Sequence, residues 1–265
     1  MDPNASPARP VALVTGASSG IGFHLARLLA EHGHDIVLVA RGSERLAQAA
    51  RDVAREFRVQ TTAVAEDLAF HEAPTHLVRE LTALGLTIDV LVNNAGYAMR
   101  GLFASLDLDE QLAMIQVNVT SLTALTGLLL PGMIERGRGR ILNVASTAAF
   151  QAGPLMAVYY ATKAYVLSFS EALVNETAGS GVTVTALCPG PTATGFEKRA
   201  GMSGTRLFSG GVMDAQAVAR QGFDGMMQGR ALVIPGWRNR LFAQLVRVAP
   251  RAMAAQMARS FQETP

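Results

Sequence analysis

The sequence predicts one α/β domain built on a doubly wound parallel sheet, with helices covering both faces. Short β-branched runs alternate with longer amphipathic stretches along most of the chain. The short runs are apolar at nearly every position, which is typical of strands buried on both faces of a parallel sheet. Right-handed crossovers between such strands produce the doubly wound arrangement. Hydrophobic residues make up 49% of the 265 residues, which is enough for one sizeable core.

The predicted elements follow one another without an internal repeat or an interdomain linker. Strands are predicted at 11–15, 35–40, 60–65, 90–93, 140–144, 182–187 and 231–234. Helices are predicted at 20–32, 43–58, 71–85, 106–136 (as one or two helices) and 158–178.

Three segments lie outside this alternation. Residues 1–10 are polar and broken by proline, and we expect a disordered tail there, so that the single domain runs over 11–265. Residues 191–211 hold five glycines, which predicts a mobile substrate loop, with the presence of short helices left open. Residues 237–262 form an amphipathic, arginine-containing segment that could pack on the core, cover a pocket, join a second subunit or lie on a membrane surface.

Composition excludes several classes of protein. A net charge of +2 is too small to indicate nucleic acid binding, and a single cysteine, Cys188, excludes a disulfide-stapled scaffold and reads as a buried, inert thiol. The five histidines show no metal-ligand spacing, so we expect no metal site. The first ten residues cannot serve as a signal peptide, and no unbroken run of about 18 apolar residues is present. We therefore expect a cytoplasmic protein, with the membrane-surface role of 237–262 ranked below its packing and subunit roles.

A glycine-rich turn follows the first predicted strand and precedes the first predicted helix. It reads Thr15-Gly-Ala-Ser-Ser-Gly-Ile-Gly22. Glycines permit a tight turn and let backbone N–H groups approach a pyrophosphate, while the helix directs its positive end at the same anion. In this position the turn predicts a dinucleotide site at the edge of a Rossmann-like sheet.

The spacing of this turn resembles that of the short-chain dehydrogenase/reductase family. Further motifs match that family in the expected order over about residues 11–195: Asn93-Asn94-Ala95-Gly96 after the fourth strand, Tyr159 and Lys163 in a Y-x-x-x-K pattern, and the Cys188 to Thr192 segment after the sixth strand. The resemblance implies an enzyme that moves a hydride between a nicotinamide and a carbonyl or alcohol carbon. It also implies a homodimer or homotetramer, often formed through the helices that carry Asn118 and Tyr159.

The predicted cofactor is NADP(H) rather than NAD(H). The second strand ends without the acid that would bind a ribose 2′-hydroxyl, and Arg41 offers a planar fork suited to a 2′-phosphate, although a solvated loop arginine is the alternative. The residues predicted to contact the cofactor, most of them by resemblance, are Gly16, Ser18, Ser19, Gly20, Ile21, Gly22, Arg41, Asp67, Leu68, Asn94, Ala95, Gly96, Tyr159, Lys163, Pro189, Gly190, Thr192 and Thr194. For Asn93 the alternative to a cofactor contact is a structural role, in which its amide bridges strands.

Four residues form the predicted catalytic set. Tyr159 and Lys163 are four residues apart on one helix face, where the ammonium is expected to lower the pKa of the phenol and the phenol to exchange a proton with the substrate oxygen. Tyr160 would then pack or line the pocket. The resemblance adds Ser146, which would hold the substrate oxygen unless it only caps the next turn, and Asn118, which in the family is thought to hold a water near the lysine.

The substrate is expected to be an apolar small molecule, because Ala148, Phe150, Met156, Phe196 and Met202 lie on the neighbouring loops. A dinucleotide-binding sensor or scaffold protein without turnover is the alternative, and the intact catalytic set argues against it. An epimerase or dehydratase of the longer branch of the superfamily fits the glycine spacing and the length poorly.

Overall fold

The structure is a computed structural model that describes residues 9–209 and 211–263. Seven parallel strands form one sheet in the order β3-β2-β1-β4-β5-β6-β9, as the alternation predicts. Its strands are β1 (Val11–Thr15), β2 (Asp35–Ala40), β3 (Thr61–Ala65), β4 (Ile88–Asn93), β5 (Gly139–Val144), β6 (Val182–Leu187) and β9 (Leu232–Val233). Two short strands, β7 (Thr192–Ala193) and β8 (Met213–Asp214), pair separately. The expected tail falls largely on residues 1–8, outside the described residues.

Helices cover both faces of the sheet. They are α1 (Gly20–Glu31), α2 (Ser43–Phe57), α3 (Ala73–Ala83), α4 (Leu108–Ile115), α5 (Leu122–Glu135), α6 (Ala157–Glu176), α7 (Phe196–Arg199), α8 (Arg206–Ser209), α9 (Ala215–Met227), α10 (Trp237–Val248) and α11 (Arg251–Gln262). A π-helical segment, Gln116–Ser121, joins α4 to α5, so that 108–135 is one continuous helix. Helix α9 was not predicted from the sequence.

The core has one apolar layer on each face of the sheet. Val14, Leu38 and Val92 point to the face covered by α1, α2 and α9, and Leu13, Val37 and Leu91 point to the face covered by α3, α5 and α6. All six side chains are almost completely buried. Successive residues of a strand face opposite sides, so burial on both sides requires the continuous apolar runs seen in the sequence.

The helix over 108–135 bears on membrane contact. It contains no unbroken run of about 18 apolar residues, as expected, yet an 18-residue window has a mean hydropathy of 1.5, and within the described residues it is long and apolar enough to cross a membrane by length and composition. Asp109, Glu110 and Glu135 lie at the two ends of this helix, and the polar residues between them are uncharged, so they offset the leucines only weakly. One such helix is weak grounds for a membrane assignment, since the core helix of a folded domain passes the same test.

The sheet topology fixes where a ligand can bind. From β1 the chain winds outward in one direction to β2 and β3, and in the other to β4, β5 and β6. In such sheets a crevice opens at the carboxyl ends of the strands where the order reverses. Here that point lies between Thr15 at the end of β1 and Asn93 at the end of β4.

Candidate active site

One large cleft, with a volume of about 1020 Å³, opens at this edge of the sheet. Its walls come from the segments that follow β1, β2, β3, β4, β5 and β6, and from the carboxyl-terminal helices. The glycine turn and three of the four predicted catalytic residues, Ser146, Tyr159 and Lys163, thus share one cavity, although they are more than a hundred residues apart in the chain.

The glycine turn adopts a backbone that other residues rarely adopt. Gly16 and Gly20 have φ values of +64° and +59°. A Cβ on Gly22 would lie 2.3 Å from Asn94 Nδ2 and 2.5 Å from Gly16 O, so this position excludes any side chain. The N-cap of α1, Ser19, makes no side-chain capping hydrogen bond. The first N–H groups of α1 are therefore available to an anion in the cleft.

Two asparagines after β4 hold this edge of the sheet together. Asn94 Nδ2 donates to Thr15 O at 2.9 Å and to Gly16 O at 3.2 Å, which ties the segment after β4 to the glycine turn. Asn93 Nδ2 donates to Asn143 Oδ1 at 2.9 Å and to Thr126 Oγ1 at 3.1 Å. Asn93 therefore has the structural role given above as its alternative.

Most of the predicted cofactor residues line the cleft. They are Gly16, Ser18, Ser19, Gly20, Ile21, Arg41, Asp67, Leu68, Asn94, Ala95, Gly96, Tyr159, Lys163, Pro189, Gly190, Thr192 and Thr194. Gly22 does not line it; it packs beneath the turn against Asn94, so its contribution is to the shape of the site. A dinucleotide fits these residues, because the positive-φ turn and the open end of α1 suit a pyrophosphate.

Two arginines stand at the end of the cleft beyond β2. Arg41 and Arg45 both line it, and both are exposed. The acid on the same wall, Glu66, is engaged by His76 Nδ1 at 2.8 Å, and Asp67 Oδ1 accepts from Ala69 N at 3.0 Å. Arg45 was not singled out in the sequence, because a helical arginine two residues inside α2 looks like any solvated side chain.

The Tyr159 phenol is buried at the base of the cleft beside Ser146. Burial raises the pKa of Tyr159 well above its ordinary value, and the hydrogen bond from Ser146 offsets only part of that shift. The Ser146 hydroxyl also accepts from Ala148 N at 3.1 Å, so Ser146 caps the short turn Thr147–Phe150 as well as facing the tyrosine. The capping role considered for this serine is therefore present, and its position beside Tyr159 leaves the substrate-holding role a prediction.

Lys163 lies one helical turn after Tyr159 on α6. Its Nζ is 5.9 Å from the centre of the Tyr159 ring and donates to Val144 O at 2.7 Å. Burial lowers the pKa of Lys163 to about 8. The expectation that the ammonium lowers the pKa of Tyr159 is wrong for this structure, because desolvation of the phenol outweighs every other influence on it.

Asn118 is buried at the centre of the π-helical segment. Its Nδ2 donates to Tyr97 O at 3.0 Å and to Thr162 Oγ1 at 3.1 Å, and its Oδ1 accepts from Tyr97 N at 3.1 Å. It does not line the cleft itself. A π-turn displaces side chains from α-helical positions and is often found at functional sites. Here it lets one amide connect the loop after β4 to the turn of α6 between Tyr159 and Lys163.

The other half of the cleft is mainly apolar. Its apolar lining includes Ala148, Met156, Phe196, Met202, Leu207, Phe208, Phe242 and Phe261. Four of the five apolar residues predicted for the substrate region are therefore in place. Phe150 is the exception, since it packs against the buried cluster around Val166 and Ile234 rather than the cleft.

The carboxyl-terminal segment forms two helices that cover the cleft. Trp237 and Phe242 of α10 and Ala258, Phe261 and Gln262 of α11 line it, so the pocket-covering role is present, and Ala243 shows that the segment also packs on the core. The glycine-rich loop holds β7, α7 and α8. These residues were missed or left open in the sequence because no periodic pattern connects them to the sheet.

Cys188 is a buried thiol, as predicted. It is fully buried at the end of β6, and burial raises its pKa to about 12. A thiol with that pKa stays protonated and unreactive near neutral pH. Over residues 9–209 and 211–263, no cluster of three or more His, Cys, Asp or Glu side chains could hold a metal ion.

Comparison with known proteins places this geometry in a family. The model of the family described as short chain dehydrogenase matches residues 10–203. The very-long-chain 3-oxoacyl-CoA reductase of Homo sapiens is 38% identical over 191 residues, which are 71% of this chain and 61% of that reductase. The match thus spans less than two thirds of the length of this curated relative.

Two solved structures share the fold over nearly the whole chain. A short-chain dehydrogenase from Sphingobium yanoikuyae in complex with NADPH has a TM-score of 0.81 and 32% identity, covering 94% of this chain and 99% of that one. The bulky-bulky ketone specific alcohol dehydrogenase from Comamonas testosteroni has a TM-score of 0.76 and 27% identity, covering 94% and 98%.

Proposed function

The chain belongs to the short-chain dehydrogenase family, and on that premise we propose that it is an NADP(H)-dependent oxidoreductase. It would move a hydride between the nicotinamide and the carbonyl or secondary alcohol carbon of an apolar small molecule. One observation carries this proposal: Ser146, Tyr159 and Lys163 line the same cleft as a glycine turn suited to pyrophosphate.

The reduced nicotinamide supplies a hydride when it is bound; the residues of the chain orient the carbonyl and supply the proton. The raised pKa of Tyr159 keeps its phenol protonated near neutral pH, which is the state needed to donate to a carbonyl oxygen as the hydride arrives. Ser146, hydrogen-bonded to Tyr159, can hold the same oxygen. Lys163 has a pKa of about 8 and uses one of its donors on Val144 O, so it can hold a proton next to the phenol and still bind a ribose hydroxyl.

Arg41 and Arg45 support a preference for NADP(H). Both guanidinium groups face the cleft wall where the adenine ribose would lie, and Glu66 on that wall is paired with His76. A charge-assisted bond to a 2′-phosphate is worth about 1.5–3 kcal/mol, or roughly 10–150-fold in affinity. The NADPH bound by the relative from Sphingobium yanoikuyae is consistent with this preference.

The lining supports a bulky, apolar carbonyl compound as substrate. Aromatic, methionine and aliphatic side chains outnumber polar ones in the cleft beyond Tyr159, and such walls favour apolar surface. The names of two relatives, a very-long-chain 3-oxoacyl-CoA reductase and a bulky-ketone alcohol dehydrogenase, agree with this class.

The test is a titration with NADPH and NADH followed by nicotinamide fluorescence, then turnover of a carbonyl panel that contains aliphatic, aromatic and steroid-like ketones and reducing sugars. We expect tighter binding of NADPH and oxidation of NADPH by apolar ketones. Arg41→Ala should lower the NADPH-to-NADH affinity ratio at least about 10-fold, whereas Arg79→Ala, an exposed arginine of α3, should leave it unchanged.

Three results would contradict parts of the proposal. Binding of neither nucleotide would overturn it entirely, and turnover of sugars alone would overturn the apolar substrate. Binding without turnover of any carbonyl compound would favour a dinucleotide sensor instead.

We also propose that a second copy of the chain covers the helices α4, α5 and α6. Leu108, Leu112, Leu128 and Ile134 are exposed on the first two, and Tyr165 is exposed on α6. Exposed apolar side chains on adjacent helices favour a subunit interface. Light scattering should give at least twice the mass of one chain, and Leu112→Glu should shift the protein towards monomer; a monomeric wild type would contradict this.

A further inference from the structure

Helix α11 ends in a buried glutamine. Its buried residues are Ala254, Ala258 and Gln262, spaced four apart and therefore on one face of the helix. The first two are small apolar side chains, and the third is a fully buried amide. Glutamine is mostly exposed in folded proteins, so a fully buried glutamine needs hydrogen-bond partners on both ends of its amide.

Only one end of the Gln262 amide has a partner. Its Nε2 donates to Tyr160 Oη at 2.7 Å, whereas its Oε1 has no partner among the described residues. The backbone carbonyl of Gln262 accepts from Arg100 Nε at 2.6 Å, so the last turn of α11 is held against the loop after β4. The unpaired oxygen is therefore part of a fixed arrangement.

The hydroxyl of Tyr160 likewise has only one hydrogen-bond partner among the described residues. It accepts from Gln262, and among the described residues no acceptor is recorded for its own proton. Burial raises the pKa of Tyr160, so the phenol is neutral and can donate. If the amide is rotated by half a turn, Oε1 accepts from the Tyr160 hydroxyl. Nε2 then has no acceptor and the phenol oxygen has no donor among the described residues. In either orientation the pair offers at least one donor and one acceptor.

Both side chains line the cleft next to the reacting centre. Tyr160 follows Tyr159 directly in α6, and the two ring centres are 6.1 Å apart. Phe261 and Ala258 form the apolar wall around Gln262. The unsatisfied polar pair is thus within the reach of one substrate molecule whose carbonyl oxygen lies at Tyr159.

We propose that Gln262 and Tyr160 bind a second polar group of the substrate, a neutral hydroxyl or carboxamide, and so determine which apolar carbonyl compounds are accepted. This inference rests on the oxidoreductase function proposed above. A hydroxyl or carboxamide both donates and accepts, so it satisfies both free groups of the pair. A carboxylate only accepts, and a purely apolar molecule leaves both groups buried without partners, which a binding site penalises strongly.

The experiment compares benzophenones that carry either a hydroxyl or a methyl at the same ring position. For each matched pair, kcat/KM with saturating NADPH is measured in the wild type, Gln262→Leu, Tyr160→Phe and the double variant. For at least one position the wild type should prefer the hydroxylated ketone by about 10-fold or more. Gln262→Leu and Tyr160→Phe should each abolish most of that preference through KM, and the double variant should lose little more than either alone, because the two groups act as one site.

The control is Gln256→Leu, the same substitution on the exposed face of α11, which should keep the wild-type preference. The thermal midpoint and NADPH affinity of each variant are measured in parallel, so that loss of folding is recognised. Equal kcat/KM for every matched pair in the wild type, or an unchanged preference in both single variants, would overturn the inference while leaving the proposed function standing. A wild type that reduces no ketone would remove the proposed function, and this inference with it.

Discussion

Residues 11–190 and residues 191–263 build opposite walls of the same cleft in different ways. The first region contributes β1 to β6 and the helices between them, and all of its strands except the edge strand β3 are buried on both faces. The second contributes two short strands, one edge strand and five helices, and several of its large apolar side chains, such as Trp237 and Val248, remain exposed. The glycine turn, Ser146, Tyr159 and Lys163 all belong to the first region.

The two regions therefore contribute differently: the first holds the groups that carry out the chemistry, and the second shapes the choice of substrate. Every group placed here in the hydride and proton chemistry is held by the ends of buried strands or by α6, where packing fixes positions closely. Thr192 and Thr194 of the second region are predicted cofactor contacts, whereas its lining residues on α7, α8, α10 and α11 belong to short helices of four to twelve residues and include the apolar wall of the substrate half. Changes in the first region should therefore affect all substrates, and changes in the second should affect the choice among them.

The substitution with the greatest expected consequence lies in the first region. Tyr159→Phe removes the proton donor, and we expect turnover of every ketone to fall by about 10²–10⁴-fold while NADPH still binds. Tyr165→Phe, on the same helix but half exposed, is the matched control and should keep its activity on each ketone. The measurement is steady-state NADPH oxidation together with fluorescence titration. Wild-type turnover by Tyr159→Phe would require another proton donor.

A second change tests whether the close packing of the first region is needed. Gly22→Ala places a Cβ against Asn94 and Gly16, so it should lower the free energy of unfolding by about 1–3 kcal/mol and weaken NADPH binding. Gly127→Ala, in α5 with nothing within 4 Å of the added carbon, should instead raise the free energy of unfolding by about 0.5–1 kcal/mol. Urea denaturation measures both. Equal effects of the two substitutions would mean that the contact with Asn94 is not tight.

A substitution in the second region should change the choice among substrates without changing cofactor binding. Phe261→Ala removes an aromatic wall of the cleft, and we expect kcat/KM for bulky apolar ketones to fall by up to about 10-fold, with unchanged NADPH affinity. Met253→Ala, exposed on the same helix, is the control. If Phe261→Ala lowered the turnover of every substrate equally, the division between the two regions would not hold.

The smallest effect concerns the junction of the two regions, where Cys188 ends β6. Burial raises its pKa to about 12, so the stabilisation from keeping the thiol protonated is complete below its unfolded pKa near 9 and is lost as the pH rises towards 12. The wild type should therefore lose about 1 kcal/mol relative to Cys188→Ala between about pH 8 and pH 10.

Lys163 has the opposite sign, since its lowered pKa makes the fold more stable as the pH rises from about 8. It is present in both proteins, but its charge interacts with Cys188, so its contribution cancels in the difference only in part. Urea unfolding of both proteins at the two pH values gives the result. A constant difference would show that the thiol is not desolvated in the fold.

The strands and catalytic residues of the first region could be predicted from the sequence because their signals are local. Apolar runs gave all seven strands of the sheet, and motif spacing gave Ser146, Tyr159 and Lys163. Sequence reasoning missed what depends on tertiary contact. Helix α9 has no motif, the π-turn around Asn118 has no sequence pattern, and Gln262 becomes part of the cleft only because α11 folds back onto Tyr160.

The burial that raises the pKa of Tyr159 is also a property of the assembled fold. Spacing along α6 showed that Lys163 is near, but not that desolvation of the phenol outweighs its charge.

Direct hydride transfer from the nicotinamide to a carbonyl carbon can be followed with NADPH that carries deuterium at the transferable position and with mass spectrometry of the alcohol product. We predict that the wild type forms an alcohol with one deuterium on the new carbinol carbon. Tyr159→Phe should form this product much more slowly. Consumption of NADPH without deuterium in the product, or no product from any ketone, would contradict the account.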